Sequence, residues 1–589
     1  MTILETGNLI NCLHPGFVMI ICGLLVMLLP KGWRRPLALI GPVLASWAAF
    51  NLTAESYLNY TLSGYITLKL INYDNLSAAF LLIFCVISIL NAIYGEGIQH
   101  KNECGMSMVY AGTIMGVVLA GDCISLIAFW ELSALASMYV IYARHNRRTA
   151  RASFRYILFH AFGGNMFLFG MLLYMSHYGN NLGNIMHSYG EPCFWLILIG
   201  VAVNAAIPPF NAWLSDAYPE STVTGTVYLA SFTTKAAICV LVRCFGGMEA
   251  LVWVGCFMAI FGACMAIMEN DIRKLLSYHI VSQLGMMVVA VGAGGEIGID
   301  GATAHAITNI LFKGVLMMGA GAVIYATGKS KITELGGLAR KMPVTAACFL
   351  ISSLAIAGLP GLSGFVSKAL ITHALEEGGY EAAVILMLAA GVGTLLSITL
   401  KINYYVFFGP TDVDADKIVT RQIPWTMKLA MIIGTAFSVL IGIFPHVFYS
   451  MLPYATQIEP YTAGHVLEYI AIFIGGSIPF FMYLGKMKPH DEYSIDFDWI
   501  YRKPLSKFMT WLTAKVISFF TYFDGTASRD VGYLRTHFGN PYLWTRDSEN
   551  VTIRKFSFEN EDKRIGDTVA VIVFTFTIMV VAVAIIWSV

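Results

Sequence analysis

The sequence predicts an all-α polytopic membrane protein: about sixteen transmembrane helices, two inverted five-helix repeats each containing a broken helix, and an amphipathic interfacial helix near the C-terminus. Three observations carry this. The 589 residues are 57% hydrophobic and only 12% charged, against about 25% charged in a soluble domain. Apolar runs of spanning length recur along the chain. Two groups of five runs share one layout, each with an interrupted fourth member.

The N-terminal section, 1–103, holds spans at 17–30, 36–54 and 74–95. No basic region precedes Phe17 and no small-residue cleavage site follows Leu29, so this run reads as a retained helix rather than a signal peptide. The first repeat, 104–244, contains spans at 104–120, 122–142, 154–176, 193–213 and 221–244. The second, 250–408, contains 250–269, 272–293, 301–326, 344–375 and 381–408. Further spans at 427–449 and 463–485 make up 427–485.

The breaks are Ile207-Pro208-Pro209-Phe210 and Gly358-Leu359-Pro360-Gly361. An odd number of spans per repeat forces opposite orientations, and interrupted helices at corresponding places in two halves point to an ion path. Pro208, Pro209 and Pro360 would free backbone carbonyls, which membrane depth permits only beside protein or a wet cavity. An ordinary proline kink would account for either break alone.

The segment 486–566 is the one long hydrophilic stretch. In it Leu505, Phe508, Met509, Leu512, Val516, Phe519, Phe520 and Phe523 recur at helical spacing, the pattern of a lateral helix lying in a membrane interface, although a loop with a chance pattern stays open. A C-terminal anchor at 567–589 ends the chain. With the N-terminus outside, Lys31, Arg34, Arg35, Arg144, Arg151, Arg273, Lys274, Lys329 and Lys341 fall in inside loops. Asp122, Glu191, Glu249, Glu296, Asp300, Glu376 and Glu377 fall outside, so the positive-inside rule places both termini on the periplasmic or outer face of the cell (inner) membrane.

Glu131, Lys235, Lys313 and Lys368 lie near the middle of four apolar stretches. A charge at bilayer centre costs about 2.5–3.5 kcal/mol on insertion scales. A chain that keeps four is expected to handle protons or cations with them. Glu131 lies nine residues past Asp122, about 13 Å of helix rise. Desolvation penalises its charged form while a nearby lysine favours it, so a moving partner could switch it; a structural ion pair is the alternative. Lys235 and Lys313 sit too deep to snorkel to an interface. Lys368 follows Pro360 by about two turns, where freed carbonyls could hold its charge.

His305 lies eight residues from Lys313, on roughly the same helix face. His279 and His160 add further candidates, since histidine titrates near physiological pH, although a lone histidine is more often a satisfied polar residue. Lys401 lies well inside the last span of the second repeat, whereas Arg243, Glu269 and Asp271 sit at span ends as interface anchors.

Other classes are excluded. A net charge of +1 argues against a nucleic-acid partner. No glycine-rich phosphate loop follows a strand-like run. None of the 11 cysteines forms CxxC, so no metal site or cofactor is expected, and any redox chemistry would belong to other subunits. The chain reads as no enzyme in itself.

The blocks Phe129-Trp-Glu-Leu-Ser, Pro209-Phe-Asn-Ala-Trp-Leu-Ser-Asp-Ala, Asn270-Asp-Ile-Arg-Lys-Leu-Leu-Ser-Tyr, His305 to Lys313, and Gly361-Leu-Ser-Gly-Phe-Val-Ser-Lys368 resemble the antiporter-like membrane subunits of multisubunit cation/proton antiporters, respiratory complex I and membrane-bound hydrogenases. The run from Asp216 to Gly225, with Thr233-Thr-Lys235, is most similar to D-type antiporter subunits. The resemblance implies that Glu131 is the family glutamate and that Lys235, Lys313 and Lys368 are stations of a hydrophilic axis joining two half-channels. It implies other membrane subunits, the lipid bilayer, protons and Na+ or K+ as partners.

One position departs from the family. Asn204 stands where the family usually has a lysine paired with the glutamate. Glu131 would then pair with Lys235, or stay protonated beside Asn204. Three readings stay open: a Na+ or K+/proton antiporter subunit, a proton-pumping subunit of a complex I-like or hydrogenase-type redox complex, and a structural subunit that has lost transport. Asn204→Lys is expected to alter the pH profile of transport in vesicles; an unchanged profile would remove Asn204 from gating.

Overall fold

A computed structural model describes residues 3–6, 13–62, 66–409, 421–485, 489 and 496–538. The anchor expected at 567–589 lies outside the described residues. The chain divides into two units, Met1–Arg502 and Lys503–Val589. In the second unit one helix covers Ser506–Phe538, and its described side chains from Lys503 to Tyr522 are exposed. The lateral helix read from the sequence is thus a helix.

The first unit opens with β1 (Ile3–Thr6), α1 (Pro15–Leu28) and α2 (Lys31–Phe50). Next come β2 (Tyr57–Leu62), β3 (Ile66–Asn72) and α3 (Asn75–Gly95). The three strands form an antiparallel sheet in the order β1-β2-β3. This amends the all-α expectation: the chain is mostly helical, with a small sheet between α2 and α3.

The first five-span group is α4 (Lys101–Leu119), α5 (Cys123–Tyr142), α6 (Arg147–Tyr178), α7 (Pro192–Asn204) with α8 (Ala212–Ala217), and α9 (Gly225–Ser231) with α10 (Thr233–Phe245). The second is α11 (Ala250–Met268), α12 (Ile272–Ala293), α13 (Gly295–Thr327), α14 (Pro343–Ala357) with α15 (Ser363–Glu377), and α16 (Glu381–Thr394) with a π-helical continuation over Leu395–Phe408. After them come α17 (Trp425–Ile443), α18 (Pro445–Tyr449) and α19 (Ala463–Met482). Among the described residues ten helical segments are long and apolar enough to cross a membrane, which makes this a multi-pass membrane protein.

Short polar side chains start the helices. Asp74, Asp122, Asn146 and Asp271 accept first-turn N–H groups of α3, α5, α6 and α12, satisfying donors that have no intrahelical acceptor. Asp122 also bridges to Asn181 beyond α6, and Asp271 to Lys331 beyond α13. Each group thus ties the start of its second helix to the loop after its third. The third helices have 32 and 33 residues.

Both expected interruptions are present. Residues 205–211 separate α7 from α8, and 358–362 separate α14 from α15. At the second break Gly358 and Gly361 have φ of 94° and 92°, a region open to glycine without a Cβ penalty. A third interruption was not expected: the span read at 221–244 breaks at Phe232, between α9 and α10.

The core lies in the middle of this sequence of helices. In the spans Gly225–Phe245, Ile272–Ala293 and Gly295–Thr327, 100%, 100% and 94% of the most apolar stretch is buried, against 67% or less in the other spans. Small residues let these helices approach closely. A Cβ on Gly285 of α12 would lie 2.5 Å from the Gly255 carbonyl of α11.

The Phe232 interruption is held from α4. The Tyr110 hydroxyl accepts from Thr233 N at 2.8 Å and pairs with the Thr233 hydroxyl. Tyr110→Phe would leave that buried N–H without its acceptor, at about 1–3 kcal/mol. Thermal unfolding in detergent is expected to move to lower temperature; an unchanged midpoint would show that Tyr110 does not support the interruption.

Candidate functional site

The three buried helices and the second break carry the basic residues singled out in the sequence. Lys235 on α10 and Lys313 on α13 are 0% exposed, and Lys368 on α15 is 4% exposed. Such groups need oxygen partners or must give up their charge. Lys235 Nζ donates to the Ala230 carbonyl at 2.8 Å, beside the Phe232 interruption. Lys368 Nζ donates to the Ile356 and Ala357 carbonyls at 2.8 and 3.1 Å, where α14 ends. Lys313 Nζ has no hydrogen-bond partner. Among the described residues none of the three is paired with a carboxylate.

Two histidines join this group. His279 on α12 contacts Ser397 Oγ through Nε2 at 2.6 Å. His305 on α13 contacts Ser367 Oγ through Nδ1 at 3.0 Å and Gln283 Oε1 through Nε2 at 3.2 Å. Ser367 also accepts from Thr308 at 2.9 Å and directly precedes Lys368. His305 therefore ties α12, α13 and α15 together. Lys313 and Lys235 lie within Coulombic reach of each other, as do His279 with Lys313 and Lys368, and His305 with Lys368 and Lys235. The same helices carry buried polar atoms with no protein partner: His279 Nδ1 and Gln283 Nε2 on α12, Thr234 Oγ1 on α10 and both amide atoms of Asn309 on α13.

Glu131 stands apart from the lysines. It is partly buried on α5, and its Oε1 has no hydrogen-bond partner. It packs on Gly164 of α6, where an added Cβ would come within 1.9 Å of Oε1. Neither expected arrangement forms: Lys235 turns to Ala230, and Asn204, 3% exposed, leaves its Oδ1 unpartnered. The Phe232 interruption supplies Lys235 with a backbone acceptor instead.

His160 packs on Tyr156 and Trp213 at ring-centroid distances of 3.9 and 4.7 Å. Trp213 Nε1 donates to the Val203 carbonyl at 2.9 Å, so this aromatic group lines the first break, the one with Pro208 and Pro209. Lys401 is placed elsewhere: its Nζ donates to the Ile267 and Glu269 carbonyls at 2.7 and 2.8 Å, closing the end of α11. Among the described residues no three His, Cys, Asp or Glu side chains could hold one metal ion.

One buried acid went unnoticed in the sequence. Asp496, 7% exposed, accepts from the Tyr278 hydroxyl at 2.8 Å and from Asn211 Nδ2 at 3.3 Å. It links α12 to the first break. It lies in a hydrophilic stretch with several other acids, and no local pattern marks it.

The family model described as "NADH:quinone oxidoreductase/Mrp antiporter, TM" matches residues 120–397. An uncharacterised protein of Methanocaldococcus jannaschii is 25% identical over 429 residues, covering 69% of this chain and 88% of that protein. Na(+)/H(+) antiporter subunit A1 of Staphylococcus haemolyticus is 28% identical over 449 residues, covering 66% of this chain; the chain spans 56% of that protein's length. A chain of the membrane-bound sulfane sulfur reductase, an archaeal respiratory membrane complex, shares the fold with a TM-score of 0.68 at 20% identity, covering 96% of this chain and 99% of that one. Residues 120–397, somewhat less than half of the chain, are thus similar to that family.

Gly164→Ala is expected to displace the Glu131 carboxylate and lower transport at least tenfold, with the purified chain still folded by circular dichroism. Wild-type transport in that variant would show that the position of Glu131 is unimportant.

Proposed function

We propose that this chain is an antiporter-like membrane subunit that carries protons along the Lys235, Lys313, His305 and Lys368 group, within a multisubunit Na+ or K+/proton antiporter. The observation that carries this reading is three buried lysines with backbone acceptors or none, and among the described residues no carboxylate lock on any of them. A lysine held by neutral carbonyls can lose its proton without stranding a buried anion, whereas a lysine in a buried ion pair cannot. The unpartnered polar atoms on the same helices favour a hydrated route, because buried polar groups without protein partners are satisfied by water.

In this reading the two five-helix groups are inverted repeats, matching in their bridged second helices and broken fourth spans. Glu131 is the group at the far end of the first repeat, coupled through water rather than through a lysine at position 204. His279 and the His160–Trp213 pair flank the route, and Lys401 is structural. The chain lies in the cell inner membrane with both termini outward, among other membrane subunits.

A second reading keeps the same proton route and drives it by redox chemistry in neighbouring subunits. It is favoured by the fold match along 96% of this chain to a respiratory complex.

Transport in proteoliposomes of the purified complex, with a pH dye and imposed Na+ or K+ gradients, tests both. Glu131→Gln and Lys235→Ala are each expected to abolish proton movement while assembly persists. Wild-type rates in both variants would remove these residues from the mechanism. Cation-dependent exchange without a redox substrate supports the antiporter; its absence, with substrate-driven pumping, supports the second reading.

A further inference from the structure

Where α13 ends and α14 and α17 begin, there is a cavity of about 340 Å³. Its walls include Lys341, Pro343, Val344, Thr345, Arg421 and Lys428, and no Asp or Glu lines it among the described residues. Neither helix start has a side-chain cap: the N-cap residues are Met342 and Pro424. First-turn N–H groups therefore remain without intrahelical acceptors, and two positive dipole ends converge with the cationic side chains of Arg421 and Lys428.

An independent feature points the same way. Thr345, in the first turn of α14, is 1% exposed, and its hydroxyl has no partner. A buried hydroxyl of this kind costs free energy unless something supplies an acceptor. Arg421 is held over the Tyr325 ring at 4.7 Å, and its backbone N–H donates to the Ala326 carbonyl at 2.8 Å. The cation is thus pinned to the end of α13. The chemistry that completes such a cavity is a compact anion with several acceptor oxygens.

We propose that this cavity binds the phosphate of an anionic phosphoester, supplied by a phospholipid headgroup. Trp425, at the start of α17, is 65% exposed, and tryptophan at a helix end marks a membrane interface. Val344 and Ile423 add apolar lining for the glycerol end of the ligand. Basic pockets between transmembrane helices bind headgroups in this way. The site sits at the start of α14, the helix whose far end supplies the carbonyls that hold Lys368. The proposal does not depend on which complex the chain serves.

The test uses the full chain, purified and delipidated in detergent, titrated with short-chain phosphatidylglycerol, phosphatidylcholine or inorganic phosphate. Native mass spectrometry and thermal unfolding read the binding. Phosphatidylglycerol is expected to bind and to raise the unfolding temperature. Arg421→Gln with Lys428→Gln should weaken it at least tenfold. Thr345→Val should weaken it severalfold, and Thr345→Ser should bind like the wild type. Equal binding of phosphatidylcholine overturns the anionic site, as does phosphatidylglycerol binding that the variants leave unchanged. Binding of inorganic phosphate with no gain from phosphatidylglycerol overturns the lipid source.

Discussion

A lysine in an apolar bundle has to find oxygen, and this fold supplies it by ending helices early. Lys235, Lys368 and Lys401 all use one device: each ammonium donates to carbonyl oxygens at the C-terminal end of a helix or half-helix. Those carbonyls lack intrahelical donors and carry the negative end of the helix dipole. Interrupting a helix therefore solves two problems together. It satisfies carbonyls that could not be left bare in an apolar interior, and it makes the desolvation of a cation bearable.

Lys313 is the exception that gives the arrangement direction. Helix α13 runs unbroken past it, so no carbonyl is released there, and its Nζ has no protein partner. It lies within Coulombic reach of Lys235 and His279, so charge on one neighbour disfavours charge on the next. Of Lys235, Lys313 and Lys368, two have carbonyl seats and one has none. The three helices around it are almost wholly buried, which keeps these interactions unscreened.

The two five-span groups solve the same local problems with the same parts. In each, an aspartate opens the second helix and bridges to the loop after a third helix of more than thirty residues. In each, the fourth span is broken. They differ in what uses the break: the second seats Lys368, whereas the first is lined by Trp213, His160 and the Asn211–Asp496 contact. Asn204, at the end of α7, leaves that side without a lysine.

Much of this was legible in the residues. Apolar runs of about twenty residues pointed to a membrane because such runs have no other cheap place to go, and among the described residues ten helical segments are long and apolar enough to cross one. Pro208, Pro209, Gly358 and Pro360 marked two interruptions because proline lacks an N–H and crowds the preceding turn, and glycine weakens a helix. The hairpin β2–β3 was also within reach, since its two Ile-, Leu-, Thr- and Tyr-rich runs flank Ser63-Gly64. The break at Phe232 was not, because Phe232-Thr-Thr-Lys235 contains no helix breaker; the Tyr110 hydroxyl, from another helix, takes the Thr233 N–H out of the ladder. The same holds for the partner of Lys235, for Lys401 closing α11, and for Asp496 reaching Tyr278. Composition and periodicity determined that this chain spans a membrane and places four ionisable groups within its apolar stretches. Only tertiary structure decided which oxygens those groups meet: the acceptors of Lys235 and Lys368 lie 5, 11 and 12 residues away, but they are freed only where the helix is interrupted, as at Thr233 by Tyr110 from 123 residues away.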